Sequence, residues 1–313
     1  MKKMRLHIFI AMAVFLIMII VGSFVDLELS KAIFSKNNGF GLTVAALSMN
    51  LGYGVIALMG GVILYHALKL AGVTWQKVAF FILALAFYGV AVYFDHGEFF
   101  GENGWYGVAH EAVGYALAIP LMGACSFLGY YLGKKANNPQ LWLFIVIGAV
   151  FIGLSLIIGT TVVKSIFHRP RYRIAIYEAY IEFHPWWKPC KSYKDLIATY
   201  DILTKEEFKS FPSGHTSVCA LTMMGVVILP FIMGKELKHQ VLYFYLALAY
   251  TVFVAFTRIM VGAHFLSDVG MGGLISLVCL YIYYEIILHN PALYETTKEF
   301  VEEEEKEELE LNN

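Results

Sequence analysis

The chain of 313 residues could hold two soluble domains, yet it is 59% hydrophobic and only 15% charged, against roughly a quarter charged in globular domains. Its net charge is −1. That composition excludes a water-soluble globular protein and points to a membrane protein. A bilayer-spanning helix needs about 20 mainly apolar residues. Runs of that kind fall at 6–25, 42–68, 78–94, 108–132, 141–163, 216–233, 241–256 and 265–288, which predicts an all-α, polytopic transmembrane bundle of eight spans.

The first run follows Lys2, Lys3 and Arg5 like a signal peptide, but it is too long and lacks small-residue cleavage spacing. It reads as a retained signal anchor. Loops after the even-numbered spans carry Lys69 and Lys77, Lys134 and Lys135, then Lys235 and Lys238. With the basic N-terminus they place both termini in the cytoplasm. The opposite, non-cytoplasmic side receives 30–40, 95–105, the long segment 164–215 and the turn at 258–264. Within that segment Phe183-His184-Pro185-Trp186-Trp187-Lys188-Pro189 has the composition of a chain lying at headgroup level, as an interfacial anchor or a lip that admits lipid.

Cys125, Cys219 and Cys279 lie inside apolar runs and Cys190 stands alone in a polar loop, so no disulfide framework is implied. Asn50, His66 and Glu285 are expected to satisfy interhelical hydrogen bonds, and Pro120 and Pro230 to kink their helices. Residues 295–313 hold nine Glu against Lys298 and Lys306, a local charge of −7 that leaves +6 on the rest. They read as a solvated tail. The division expected is an N-terminal helical part at 1–140, a catalytic helical core at 141–290 and the acidic tail at 291–313.

Ionisable groups at span ends are costly and are functional candidates by default. Three clusters fall on the same predicted side. Lys164-Ser-Ile-Phe-His-Arg-Pro-Arg171 begins where the fifth span ends. On a continuing helix Lys164 and Arg171 share a face, whereas Arg169 points about 140° away. Pro170 can break that helix, which keeps Arg169 as the alternative phosphate contact. Phe211-Pro-Ser-Gly-His-Thr216 opens the sixth span. Ser213 can cap it, and Gly214 lets backbone N–H groups approach an anion closely. His215 beside them titrates in the range suited to proton transfer. In Arg258-Ile-Met-Val-Gly-Ala-His264-Phe-Leu-Ser-Asp268, the spacing of His264 and Asp268 puts both on one helix face. The carboxylate can then reach the imidazole, and Arg258 adds a planar donor fork for phosphate oxygens.

Together the clusters resemble the three-part signature of the type 2 phosphatidic acid phosphatase (PAP2) superfamily, K-x6-RP, PSGH and SR-x5-H-x3-D. The resemblance covers about a third of the chain, in order and with matching internal spacing. Tyr172 stands where the first motif has its proline, and Thr257 replaces the serine before Arg258. The family usually has six spans, three of them before the first motif; five here make two N-terminal spans look like an addition.

The resemblance implies a PAP2/haloperoxidase-like catalytic core. It implies that His264 attacks phosphorus and forms a phosphohistidine, that Asp268 orients it, and that His215 protonates the leaving alkoxide. Lys164, Arg171, Arg258, Ser213 and Gly214 would hold the phosphate. Three fixed cations can stand in for Mg²⁺, so neither metal nor other cofactor is expected. Asp95, His96, Glu98, Glu102, His110 and Glu111 could in principle ligate a metal, but an outer acidic loop is ordinarily just solvated.

The expected activity is hydrolysis of a phosphate mono- or diphosphate ester on a membrane lipid. Candidate substrates are phosphatidic acid, phosphatidylglycerol phosphate, polyprenyl pyrophosphate and lipid A phosphates. The alternatives are a lipid phosphotransferase using the same phosphohistidine, a sugar-phosphate phosphatase, and a transporter or anion channel. Expected partners are the lipid substrate and the bilayer of the plasma (inner) membrane, and no nucleic acid.

Overall fold

The computed structural model describes residues 4–36, 38–99, 111–175, 181–200, 203–233 and 237–290. Glu102, His110, Lys235 and the acidic tail lie outside the described residues. Helix α1 spans Met4–Ile33 and α2 Gly39–Tyr65, which a wider π-turn extends over His66–Leu70. Helices α3 (Thr74–Phe99) and α4 (Glu111–Ala136) follow. Helix α5 (Leu141–Leu156) runs through a π-turn at Ile157–Val162 into α6 (Val163–Phe167). A small cap then carries α7 (Tyr172–Ala175), α8 (Tyr193–Thr199) and a 3₁₀ turn at Lys205–Phe208. Helices α9 (Gly214–Met233), α10 (Gln240–Met260) and α11 (Leu266–His289) complete the bundle. Among the described residues there is no β-strand.

Eight of these rods are long and apolar enough to cross a membrane, one for each span predicted from hydropathy, and the protein is an integral membrane protein. Burial separates inner helices from outer ones. The apolar windows of α2 and α9 are 67% and 72% buried, against 28% and 22% for α3 and α4. The outer faces show Phe24, Trp75 and Phe127, which suits a hydrocarbon solvent where the helical backbone satisfies itself.

Small residues bring the rods close, as expected where the solvent is as apolar as the side chains. A Cβ at Gly61 would strike the Ser126 carbonyl, and one at Gly129 the Leu58 carbonyl, so α2 and α4 touch backbone to backbone. Gly22 and Gly270 do the same for α1 and α11. Helix α1 is therefore packed along the bundle, more than the simple membrane anchor its sequence suggests.

Asn50 donates to Asp95 at 2.5 Å, tying α2 to α3. Arg5 meets Glu285 through two bonds of 2.6 Å, tying α1 to α11. His66 departs from expectation: among the described residues its Nδ1 has no hydrogen-bond partner, and the ring packs edge-on against Phe80. Pro120 and Pro230 both sit inside their helices. The aromatic loop lies on the bundle: Trp186 donates to the Ser23 hydroxyl at 2.9 Å and stacks on Phe211, while Trp187 is exposed.

Candidate active site

The helix expected to carry Lys164 and Arg171 on one face does not continue. Helix α6 ends at Phe167, His168 takes a left-handed conformation (φ 44°), and Pro170 follows. The turn sends successive arginines in different directions. Arg169 is 1% exposed and donates to Asp268 Oδ1 (2.5 Å), Ser267 Oγ (2.9 Å), Asp26 Oδ2 (2.9 Å) and the His184 carbonyl (2.7 Å). The alternative phosphate contact considered for Arg169 is thus corrected: its donors are engaged inside the protein by two carboxylates. Arg171 returns toward Lys164, with Nε on the Glu206 carbonyl at 3.0 Å and Nη1 on the Ala263 carbonyl at 3.4 Å.

Helix α9 begins at Gly214 as its motif suggested. The Ser213 hydroxyl accepts from the Thr216 backbone N–H and hydroxyl at 3.4 and 3.1 Å. The Ser213 N–H donates to the Asp268 carbonyl at 3.0 Å, which joins the second cluster to the third. A Cβ on Gly214 would lie 3.4 Å from Thr160 and 3.8 Å from the Lys164 ammonium. Both are ordinary van der Waals distances, so the first turn of α9 lies beside the start of α6 without the glycine being forced by crowding.

Between α10 and α11 the chain reverses at Gly262 (φ 65°), a backbone conformation that suits glycine. The Arg258 carbonyl accepts from the N–H groups of Ala263 (3.1 Å) and His264 (3.3 Å). His264 thus folds back toward Arg258, ahead of α11 rather than on it. Its Nδ1 donates to the Ser210 carbonyl at 2.6 Å. A carbonyl only accepts, so Nδ1 carries the hydrogen and the neutral ring keeps its lone pair on Nε2. Burial pushes the His264 pKa down to about 3; the charges of Arg171 and Lys164 act in the same sense and Asp268 against it.

The direct carboxylate-to-imidazole bond read from the four-residue spacing is corrected. Asp268 Oδ2 stands 3.9 Å from His264 Nδ1, too far for a hydrogen bond. Because α11 starts at Leu266, the two residues do not share its face. Asp268 instead accepts from the Ser210 hydroxyl and, at 2.8 Å, from the Phe265 N–H. It fixes Ser210, and Ser210 fixes His264.

His215 is buried one residue into α9, and its Nε2 lies 3.5 Å from Glu98 Oε2. Electrostatically it faces Arg258, His264, Arg171 and Lys164. The structure therefore brings Lys164, Arg171, Ser213, Gly214, His215, Arg258 and His264 together and sets Arg169 and Asp268 behind them.

Three neighbours were not expected at this site from the sequence. Asp26 and Glu98 come from α1 and α3, where the first residues of the expected outer acidic loop, Asp95 to Glu98, belong to the helix and Asp95 is fully buried. The signal was present: Asp95 and Glu98 are three apart at the end of an apolar run, hence on one face. Ser210 had none, since a backbone carbonyl leaves no mark in sequence. Among the described residues no group of three or more His, Cys, Asp or Glu could hold a metal.

The fold and the buried cluster define a helical integral membrane protein with cations and two histidines gathered at one end of its bundle. Residues 143–291 match the family model of the PAP2 superfamily, so this segment is a PAP2 superfamily domain, and such a domain implies phosphatase-type activity. No curated protein and no solved structure matches the chain. Helices α1 to α4 precede the matched segment.

Proposed function

We propose that the protein is a metal-independent lipid phosphatase working through a phosphohistidine at His264. The observation that carries the reading is the hydrogen bond from His264 Nδ1 to the Ser210 carbonyl. It leaves the Nε2 lone pair facing a site rich in cations. In the first step Nε2 forms a bond to phosphorus while the opposite P–O bond breaks, and its electron pair leaves with the lipid alkoxide. His215 supplies that oxygen with a proton. Water then attacks the phosphohistidine, its proton passing to His215, and phosphate leaves with the P–N bond broken. Lys164, Arg171, Arg258, the Ser213 hydroxyl and the Gly214 N–H match the charge that spreads over the equatorial oxygens.

A lipid is favoured over a soluble substrate by an apolar groove of about 430 Å³ between α3 and α5, lined by Leu83, Phe87, Val90, Ile152, Gly153 and Leu156. Its far end reaches Thr160, the residue that touches Gly214 beside Lys164. A hydrocarbon tail lying in the groove would present its headgroup to the cations. Residues 141–290 form the catalytic core in this reading, on the non-cytoplasmic side of the plasma (inner) membrane with both termini cytoplasmic.

The test is phosphate release from phosphatidic acid, polyprenyl pyrophosphate and a sugar phosphate. Wild type is expected to release it from one of the lipids and to form an acid-labile phosphoprotein, and His264→Ala to do neither. Undiminished release by His264→Ala would refute the mechanism. Transfer of label to an added lipid acceptor in place of water would make the protein a phosphotransferase.

A further inference from the structure

Glu98 belongs to α3, outside the segment that matches the family, and the chemistry above gives it no part. It reaches the centre all the same. Its Oε2 and the His215 Nε2 lie 3.5 Å apart, both atoms are buried, and neither has a hydrogen-bond partner among the described residues. The groups facing it are Lys164 from α6, Arg258 from α10, Tyr53 from α2, Cys219 from α9 and Asp95 from its own helix. Asp95 already accepts from Asn50.

A general acid must carry its proton when the leaving oxygen needs it. Lys164, Arg171 and Arg258 oppose an imidazolium at His215 by like-charge repulsion, and burial removes the water that would screen them. One carboxylate beside the ring is what offsets this.

We infer that Glu98 is a positioning residue for His215, holding one ring nitrogen and stabilising the imidazolium that protonates the lipid alkoxide. The inference rests on the phosphohistidine reading. In the step concerned, the P–O bond breaks as Nε2 of His264 bonds to phosphorus. The alkoxide takes the proton from the His215 nitrogen that Glu98 does not hold. His215 is left neutral, with its remaining N–H on the carboxylate. The 3.5 Å separation at rest closes to a hydrogen bond when the ring is charged, as catalytic contacts tighten on substrate binding. The N-terminal helices thereby contribute to the chemistry as well as to the packing.

The experiment compares two leaving groups in one preparation. Hexadecyl phosphate releases an alkoxide that needs a proton, whereas para-nitrophenyl phosphate releases an acidic phenol that leaves without one. Glu98→Gln keeps the size and removes the charge. It is expected to lower kcat on hexadecyl phosphate roughly 10- to 100-fold, part of the range for general acid catalysis, with KM little changed. The alkaline limb of the kcat profile is expected to move to lower pH, and the burst of para-nitrophenolate, which reports formation of the phosphohistidine alone, to run near the wild-type rate, which also reports a folded site. Glu98→Asp should restore part of the alkyl rate. Wild-type behaviour of Glu98→Gln on both substrates would overturn the inference, and so would an equal loss on both, which would mark a packing role. Turnover of both substrates by His264→Ala would instead sink the phosphohistidine reading beneath it.

Discussion

Asp26, deep in α1, accepts from both the backbone N–H (2.9 Å) and the hydroxyl of Ser267, in the first turn of α11. The same carboxylate holds Arg169, which in turn holds Asp268. All four residues are at most 3% exposed. The first helix of the chain is thus pinned to the start of the last one. Asp26→Ala leaves Arg169 half-compensated and a buried N–H without its acceptor. Breaking one partner of a buried ionic network costs about 3–5 kcal/mol, so a large drop in the detergent-solubilised melting temperature is expected. The molecules that stay folded at low temperature should retain turnover, because Asp26 sits behind the cations. Unchanged melting together with lost turnover would give Asp26 a chemical role instead.

Protonation of His264 sets a pH dependence whose sign follows from its burial. The folded protein keeps the ring neutral down to about 3, while the unfolded chain takes up a proton near 6.5. Between those values the unfolded state binds more protons, so this group's contribution to stability falls as pH falls from 6.5 toward 3. Melting followed by circular dichroism from pH 7.5 to 4.5 should show the loss, and His264→Asn should flatten it. A His264→Asn curve parallel to wild type would remove His264 as the cause.

Eight spans were legible because hydrophobic length is a local property, and so were the clusters at their ends. What failed were the steps that assumed a regular helix. Arg171 reaches Lys164 through a left-handed turn at His168, not along a helical face. Asp268 acts on His264 through Ser210, because α11 starts two residues after the histidine. The positions of Asp26 and Glu98 depend on which helices pack together, and hydropathy does not specify that when every rod is apolar. Their charge just past the ends of apolar runs was the readable sign.

Chelation separates two ways of balancing phosphate charge. In the proposed mechanism Lys164, Arg171 and Arg258 supply it from side chains, so EDTA is expected to leave phosphate release unchanged and added Mg²⁺ to give no stimulation. Arg258→Lys keeps the charge but loses the planar fork, and a drop of about 10-fold or more in kcat/KM is expected, since a charge-assisted bond is worth roughly 1.5–3 kcal/mol. Rates abolished by EDTA and restored by Mg²⁺ would mean that the cations do not suffice.

Gly153 lines the groove that runs toward Thr160, and a Cβ added there meets nothing within 4 Å. A larger side chain can therefore occupy the groove without disturbing the helices around it. Leucine at this position would fill the space a hydrocarbon tail needs, beside Ile152 and Leu156, and leave the polar end at Gly214 and Lys164 as it is. Gly153→Leu is accordingly expected to fold at least as well as wild type, since it also relieves the entropic cost of a glycine inside a helix. Its effect should scale with chain length. Each methylene displaced from an apolar site is worth about 0.8 kcal/mol, so loss of three contacts amounts to a rise of roughly 50-fold in KM for hexadecyl phosphate. Butyl phosphate, too short to reach the glycine from the cations, should be turned over as before. Equal KM values for wild type and Gly153→Leu on the long chain would place the tail elsewhere, whereas an equal loss on both chains would point to damage at the site itself.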